Sequence, residues 1–366
     1  MKFITKKEAI LNELQLLQGI VEKRNTMPIL ANILINASQD KVELVGTDLE
    51  VGMKTHFSAQ VEETGAVTVS GKKVFEIVKS LSSKEDVSFE KIDEKMMKIT
   101  SRASKFKVNI LPKEDYPQVP EPKFEKDINL PLEKFKEMIE RVYCAISLEQ
   151  RYYLNGALMK LKNNSIELIS TDGHRLAYTC SKIEDLNITE EIKGIISKKA
   201  LSELRKFEDK TITFDLDENN LFFNVTNRTI TSRIIEGKFP NYEAVIPKDN
   251  PNTLTLDREE ISDAVRRVSL LSTERTRGIK FNIEQNKVSL FSSNPELGEA
   301  RDEVKVEYSG DELEIGFNSQ YILDFLATVK AEKVCFDLKD ENSAVLMRTK
   351  DEEDIEYKYV LMPMKI

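Results

Sequence analysis

The chain repeats itself at an interval close to 123 residues, and this periodicity constrains its fold more than any other feature. Tyr116-Pro117, Phe239-Pro240 and Met362-Pro363 each set an aromatic residue or methionine before proline, and the three prolines are spaced 123 residues apart. Each pair follows an alternating, strand-like run: Ser104 to Ile110, Thr229 to Ile235 and Ile355 to Leu361. A strand-then-turn signature also recurs, as VELVGTD ending at Asp48, IELISTD ending at Asp172 and VSLFSSN ending at Asn294. Aspartate or asparagine closes each run, as turn chemistry favours. Near the start of each repeat an apolar helical stripe appears: Ile10, Leu14, Leu17 and Val21; Phe135, Ile139, Val142 and Ile146; and Ile261, Val265, Val268 and Leu271. A second helix is predicted in each back half, over 72–81, 198–207 and 319–329.

These elements predict an α+β fold of three homologous domains, each with two helices packed on antiparallel sheets. Prolines 112, 117, 120 and 122 form one cluster and prolines 240, 247 and 251 another, the mark of short, stiff linkers. The expected domains are 1–121, 122–248 and 249–366. A chain of 366 residues has room for them, being longer than one hydrophobic core usually serves.

The formal charge of -9 argues against a nucleic-acid partner unless the positive groups are sorted onto one surface. The back helices point to such sorting. Lys72, Lys73 and Lys79 face only Glu76 across 72–81, and Lys198, Lys199, Arg205 and Lys206 face only Glu203 across 198–207. The third back helix has Ser319 and Gln320 instead of lysines. Arg24, Lys134, Lys136, Arg141, Arg266 and Arg267 lie on or beside the front helices. One basic helical face would contact phosphates without reading sequence.

Little in the chain suggests catalysis. Gly65 to Lys73 departs from a phosphate loop in its glycine spacing and has Lys73 where serine or threonine should bind magnesium. The two histidines, His56 and His174, give acid-base or metal chemistry little material. Asp172-Gly173-His174-Arg175 could share a metal or proton, the basis for a rival reading as a metal-dependent nuclease, but the matching turns keep no histidine. Cys144, Cys180 and Cys335 are too few and too scattered for a disulfide framework or a zinc site. Without a signal sequence or an apolar run of membrane-spanning length, a cytoplasmic protein is expected, with no membrane contact, metal or cofactor.

Particular words in the sequence carry a resemblance. RYYLNG (151–156), TDGHRLA (171–177), FPNY (239–242) and the terminal LMPMKI, with MPIL from Met27 and GTDLE from Gly46, closely resemble the beta clamp family of bacterial DNA polymerase III over the whole chain. The resemblance implies a sliding clamp: a head-to-tail homodimeric ring that encircles double-stranded or primed DNA and performs no catalysis. It implies dimer contacts through Phe106 and Val108 in the first domain and Leu270 and Leu271 in the third. It assigns DNA contacts to Arg24, Lys72, Tyr152 and Tyr153, with Lys198 and Lys199 as helpers. Leu148 stands where related clamps often carry a polar DNA contact, so that contact is not carried over.

A cleft for short hydrophobic peptides is further implied, lined by Leu154, Thr171, Gly173, His174, Arg175, Leu176, Pro240, Val245, Ile246, Val360, Met362 and Met364. Its partners would be the clamp loader, the replicative polymerase alpha subunit and other proteins with clamp-binding motifs. Methionine suits a groove that serves many partners. Lys365-Ile366 replaces the commoner Arg-Leu ending.

Overall fold

The computed structural model describes all residues except 22–26, 83–84, 125–127, 149–151, 185, 187, 189 and 352–353, and only the backbone of Tyr152. Two helices form in each repeat: α1 (Lys7–Leu17) and α2 (Gly71–Ser80), α3 (Leu132–Tyr143) and α4 (Lys198–Leu204), α5 (Arg258–Ser269) and α6 (Ser319–Thr328). The helical spacing of Ile10, Leu14 and Leu17 puts all three on the buried side of α1. The Ser70, Asp257 and Asn318 side chains accept backbone N–H bonds at the starts of α2, α5 and α6.

The first and third repeats also share a clamp between their helices. At the first position of α1, Lys7 donates from Nζ to the Lys79 carbonyl, 2.9 Å away at the end of α2. At the first position of α5, Arg258 donates from Nε to the Ala331 carbonyl at 3.1 Å, just beyond α6. Lys7 thereby meets the carbonyl end of α2, where the dipole favours a cation, while Arg258 ties down the segment that follows α6. Leu132 begins α3 in the central repeat, and a leucine has no charge to offer there.

The chain folds into two compact units, residues 1–133 with 199–234 and residues 134–198 with 235–366, so the central repeat contributes to both. The first unit holds a continuous sheet of thirteen strands, and the second holds one sheet of eight and one of four. This division follows from how the repeats join. The strand Arg228–Arg233 at the end of the central repeat pairs antiparallel with Val51–Ser58 of the first repeat. Ile355–Leu361 at the end of the third pairs in the same way with Arg175–Lys182 of the central repeat. Each junction extends a sheet from one repeat into the next and removes two exposed edges.

One sequence equivalence shifts in the structure. The strands ending at Leu111 and Arg233 are each followed by a loop before Pro117 and Pro240, whereas Pro363 follows Leu361 almost at once. The even proline spacing therefore marks the repeats without marking one structural position.

Candidate functional site

Three of the expected cleft residues, Leu176, Val360 and Ile246, gather on one face of the eight-stranded sheet. Cross-strand register sets Leu176 opposite Val360, and Val360 opposite Leu346 on the next strand. Alternation along Arg175–Lys182 sends Leu176 and Tyr178 to one face and Arg175 and Ala177 to the other. Leu176 and Val360 form an apolar cluster with Ile169 and Tyr242, against which Leu158, Tyr178, Phe239, Ile246, Ala344 and Leu346 pack. Val245 and Met362 stay largely exposed beside it, leaving apolar surface uncovered at its edge.

The turn at the end of this face is tightly bonded. Thr171 Oγ1 donates to the Arg175 carbonyl at 2.6 Å and accepts from Gly173 N at 3.1 Å. Asp172 Oδ1 accepts from His174 N at 2.9 Å and Arg175 N at 3.0 Å. Gly173 has φ +91°, which a residue without Cβ adopts freely. His174 is exposed, and its carbonyl accepts from Met362 N at 3.0 Å, tying the chain end to the turn. Met364 N in turn donates to the Gly316 carbonyl at 2.9 Å. Pro240 is exposed, and Leu154 is buried outside the apolar cluster.

Arg175 faces away from the cluster. Its guanidinium bonds Asp172 Oδ2 at 3.0 Å, Asp324 Oδ2 at 2.5 Å and the Tyr359 hydroxyl at 3.1 Å, and lies 4.2 Å from the centre of the Tyr321 ring. It fixes the turn from behind and has little left for a ligand. Asp172 commits both carboxylate oxygens to the turn and to Arg175, a structural role. Among the described residues no cluster of three or more His, Cys, Asp or Glu could hold a metal. Burial pushes the neighbouring Cys144 thiol up to about 11, away from nucleophilic use.

Sequence reasoning missed what supports the cleft wall. The Tyr242 hydroxyl accepts from Lys160 Nζ at 3.0 Å and donates to Glu167 Oε2 at 3.1 Å, while its ring stacks on Tyr178 at 6.0 Å. Burial, then the Glu167 charge, raises the Tyr242 pKa and keeps the phenol protonated. FPNY carried Tyr242 into the resemblance, but the alternation from Leu176 to Tyr178 was the available signal for its stacking partner.

The expected DNA residues fare differently from one another. Lys72 is exposed on α2, within 3.7 Å of Glu76. Lys198 donates to the Ile146 carbonyl at 3.2 Å over the Tyr143 ring, and burial, reinforced by the Arg175 charge, lowers its pKa. Lys199 donates to the Ile20 carbonyl at 2.7 Å and to Asp48. Both ammonium groups thus already serve the fold. Tyr153 is half-buried and packs beside Gly237, whose φ of +132° and missing Cβ admit the contact. Arg24 and the Tyr152 side chain lie outside the described residues. Arg141 corrects the charge reading, being buried on α3 with bonds from Nη1 to the Ile355 carbonyl at 2.9 Å and from Nη2 to Glu137 at 2.8 Å.

Phe106 and Val108 alternate as half-buried residues on Ser104–Leu111. Among the described residues this strand pairs with Met96–Ser101 on one side and reaches Gly65–Ser70 on the other only at Ile110 and Leu111. Leu270 is 77% exposed at the end of α5, with half-buried Leu271 beside it. Gly298–Lys305, against which α5 packs, is the edge of the four-stranded sheet.

Comparison with known proteins covers the chain throughout. The families described as the N-terminal, central and C-terminal domains of DNA polymerase III beta subunit match residues 1–120, 129–241 and 243–365. Proteins named beta sliding clamp from Pseudomonas putida and Escherichia coli are 34% and 32% identical over the full length of both chains. A crystal structure of the DNA polymerase III subunit beta from Pseudomonas aeruginosa aligns with a TM-score of 0.94 at 33% identity, covering both chains completely. A sliding clamp from Bartonella birtlesii, solved bound to griselimycin, aligns equally well at the same identity and coverage.

Proposed function

This chain belongs to the DNA polymerase III beta subunit family, and on that premise we propose that it is a sliding clamp, a processivity factor with no catalytic step of its own. Two copies close head to tail around duplex or primed DNA, and the cleft of the second unit tethers the polymerase alpha subunit, the clamp loader and other partners. The domains divide at 121/122 and 248/249, and the ring works in the cytoplasm.

The observation that carries this reading is a junction made twice and left unmade once. Final strands Arg228–Arg233 and Ile355–Leu361 pair with Val51–Ser58 and Arg175–Lys182 of the preceding repeat. The first repeat's final strand, Ser104–Leu111, and the third repeat's counterpart of Val51–Ser58, Gly298–Lys305, are left with open edges. Their burial alternates in the same sequence, position for position. Exposed Lys105 and Lys107 on one edge can meet exposed Glu299 and Glu303 on the other, which also carries exposed Arg301 and Lys305. Phe106, Val108, Leu270 and Leu271 supply apolar contact. Joining these edges in a second copy closes a symmetric assembly instead of a filament.

Topology then holds DNA, so individual phosphate contacts can stay weak enough for sliding. Arg24, Lys72, Tyr152 and Tyr153 supply them, with Lys198 and Lys199 behind as part of the positive field. Tethering raises the effective concentration of a polymerase at the primer end.

Retention on nicked circular DNA, after loading by a matched clamp loader with ATP, tests the reading. The protein should survive a high-salt wash on the circle and be lost once the circle is cut. Equal loss from circle and linear DNA, with an active loader and a dimer in solution, would exclude encirclement.

A further inference from the structure

The turn that ends the cleft has a counterpart in the first unit, matched bond for bond. Thr47 Oγ1 donates to the Val51 carbonyl at 3.2 Å and accepts from Leu49 N at 3.0 Å, as Thr171 does with Arg175 and Gly173. Asp48 Oδ1 accepts from Glu50 N at 2.9 Å and Val51 N at 2.6 Å, as Asp172 does from His174 and Arg175. The incoming strand repeats its bond too: Arg233 N donates to the Glu50 carbonyl at 2.8 Å, where Met362 N donates to His174. Thr231 faces Gly52 across the strands as Val360 faces Leu176.

The frame is shared and the chemistry is changed. An open cavity of about 310 Å³ lies over this turn, walled by Gln118, Val119, Pro120, Asn219 and Asn220, with Glu50 and Arg233 as the charged residues of its lining. Gly52 stands where the cleft has Leu176, and Val119 leans into the vacated space, so that a Cβ on Gly52 would meet its Cγ1 at 2.6 Å. Thr231 replaces Val360 and donates to the Pro120 carbonyl at 3.3 Å. A hydrophobic plug has lost both its seat and its floor.

A positive group has come in their place. Arg233, in the position of Met362, is exposed, and its guanidinium has no ion pair or hydrogen bond among the described residues. Glu50, on the turn and in the same lining, is engaged in a contact of its own, which leaves the Arg233 guanidinium to meet a ligand's carboxylate. Leu49 adds an exposed apolar side chain at the rim. We infer that the first unit carries a second docking groove, congruent with the cleft but selective for a short, extended acidic segment of a partner protein, with Arg233 receiving its carboxylate. Assigning a peptide as the occupant rests on reading the second unit's cleft as a peptide site.

Two probes on the full-length protein separate the sites by fluorescence anisotropy: a labelled octapeptide of alternating aspartate and leucine, and a labelled pentapeptide of leucine and phenylalanine. Arg233→Glu should weaken the acidic peptide by about ten-fold or more, since the charge-assisted pair becomes a repulsion, and leave the apolar one unchanged. Met362→Glu should do the reverse. The inference is overturned if the acidic peptide does not bind the unaltered protein, if Arg233→Glu leaves its affinity intact, or if Met362→Glu removes it. Failure of the apolar peptide alone, with the acidic result as expected, would count against the cleft reading and leave the Arg233 contact standing.

Discussion

The two repeat junctions inside this chain use the same strand pairing and different fastenings. In the first unit, Glu13 of α1 accepts from Arg228 Nε at 2.9 Å and Nη2 at 2.6 Å, and from Thr55 Oγ1 at 2.6 Å. In the second, Arg141 of α3 bonds the Ile355 carbonyl, and the Tyr357 hydroxyl donates back to the Arg141 carbonyl at 2.9 Å. The first is a part-buried ion pair reaching from a half-buried arginine on the strand to a buried carboxylate on the helix. The second is a cation that pairs with Glu137 of its own helix, crosses the junction only to a backbone carbonyl, and packs 5.3 Å from the centre of the Tyr357 ring. The shared sheet architecture thus sets where a fastening is needed and leaves its chemistry free to vary.

The largest expected effect breaks the first fastening. Arg228→Ala takes the cation from a buried Glu13 carboxylate that keeps the Thr55 hydroxyl as a donor, and with Arg228 itself half-buried the cost is at most about 3–5 kcal/mol. Hydrogen exchange should speed up in Val51–Ser58 and Arg228–Arg233 while Arg175–Lys182 keeps its protection. Unchanged exchange in the first unit would mean that the pairing of strands, and not the ion pair, holds that junction.

Arg141→Met tests the other side with a smaller effect. The bond lost across the junction is the one to the Ile355 carbonyl, worth about 1.5–3 kcal/mol, while Glu137 is on the same helix, partly exposed and also near Lys330. Protection should now fall in Arg175–Lys182 and Ile355–Leu361. A response confined to α3 would show that Arg141 serves its helix and not the junction.

Arg141 also shows where sequence stops being informative. The three repeats, their helices and the α+β class were legible because apolar spacing and turn chemistry act locally, at 10, 14 and 17 in α1 as at 261, 265 and 268 in α5. The destination of a charged side chain is decided by what packs against it. Arg141, Lys198 and Lys199 read as basic surface, yet their partners lie at Ile355, Ile146 and Asp48, contacts that no local pattern announces. The family resemblance named Leu176, Val360 and Ile246, which share one apolar cluster. The Lys160–Tyr242–Glu167 support beneath it was not legible, since those residues come together only when the strands Gly156–Lys162 and Ser165–Thr171 pair under the 240–246 segment.

The smallest effect compares the two turns themselves. Leu49 has φ +77° where its counterpart Gly173 has +91°, so the first unit holds a leucine in a conformation suited to glycine. Relieving that strain with Leu49→Gly is worth about 1–2 kcal/mol. The added freedom of glycine in the unfolded chain offsets about 0.4–1 kcal/mol of it. Leu49 is 51% exposed, so part of its apolar contact is lost as well, and the net gain should be a few tenths of a kcal/mol. Gly173→Leu should destabilise by roughly 1 kcal/mol or more, because strain is added where none existed. Paired urea melts of the two variants decide the point. If Leu49→Gly lowers the midpoint, Leu49 makes contacts worth more than its strain, which would strengthen its place as the apolar rim of the second groove.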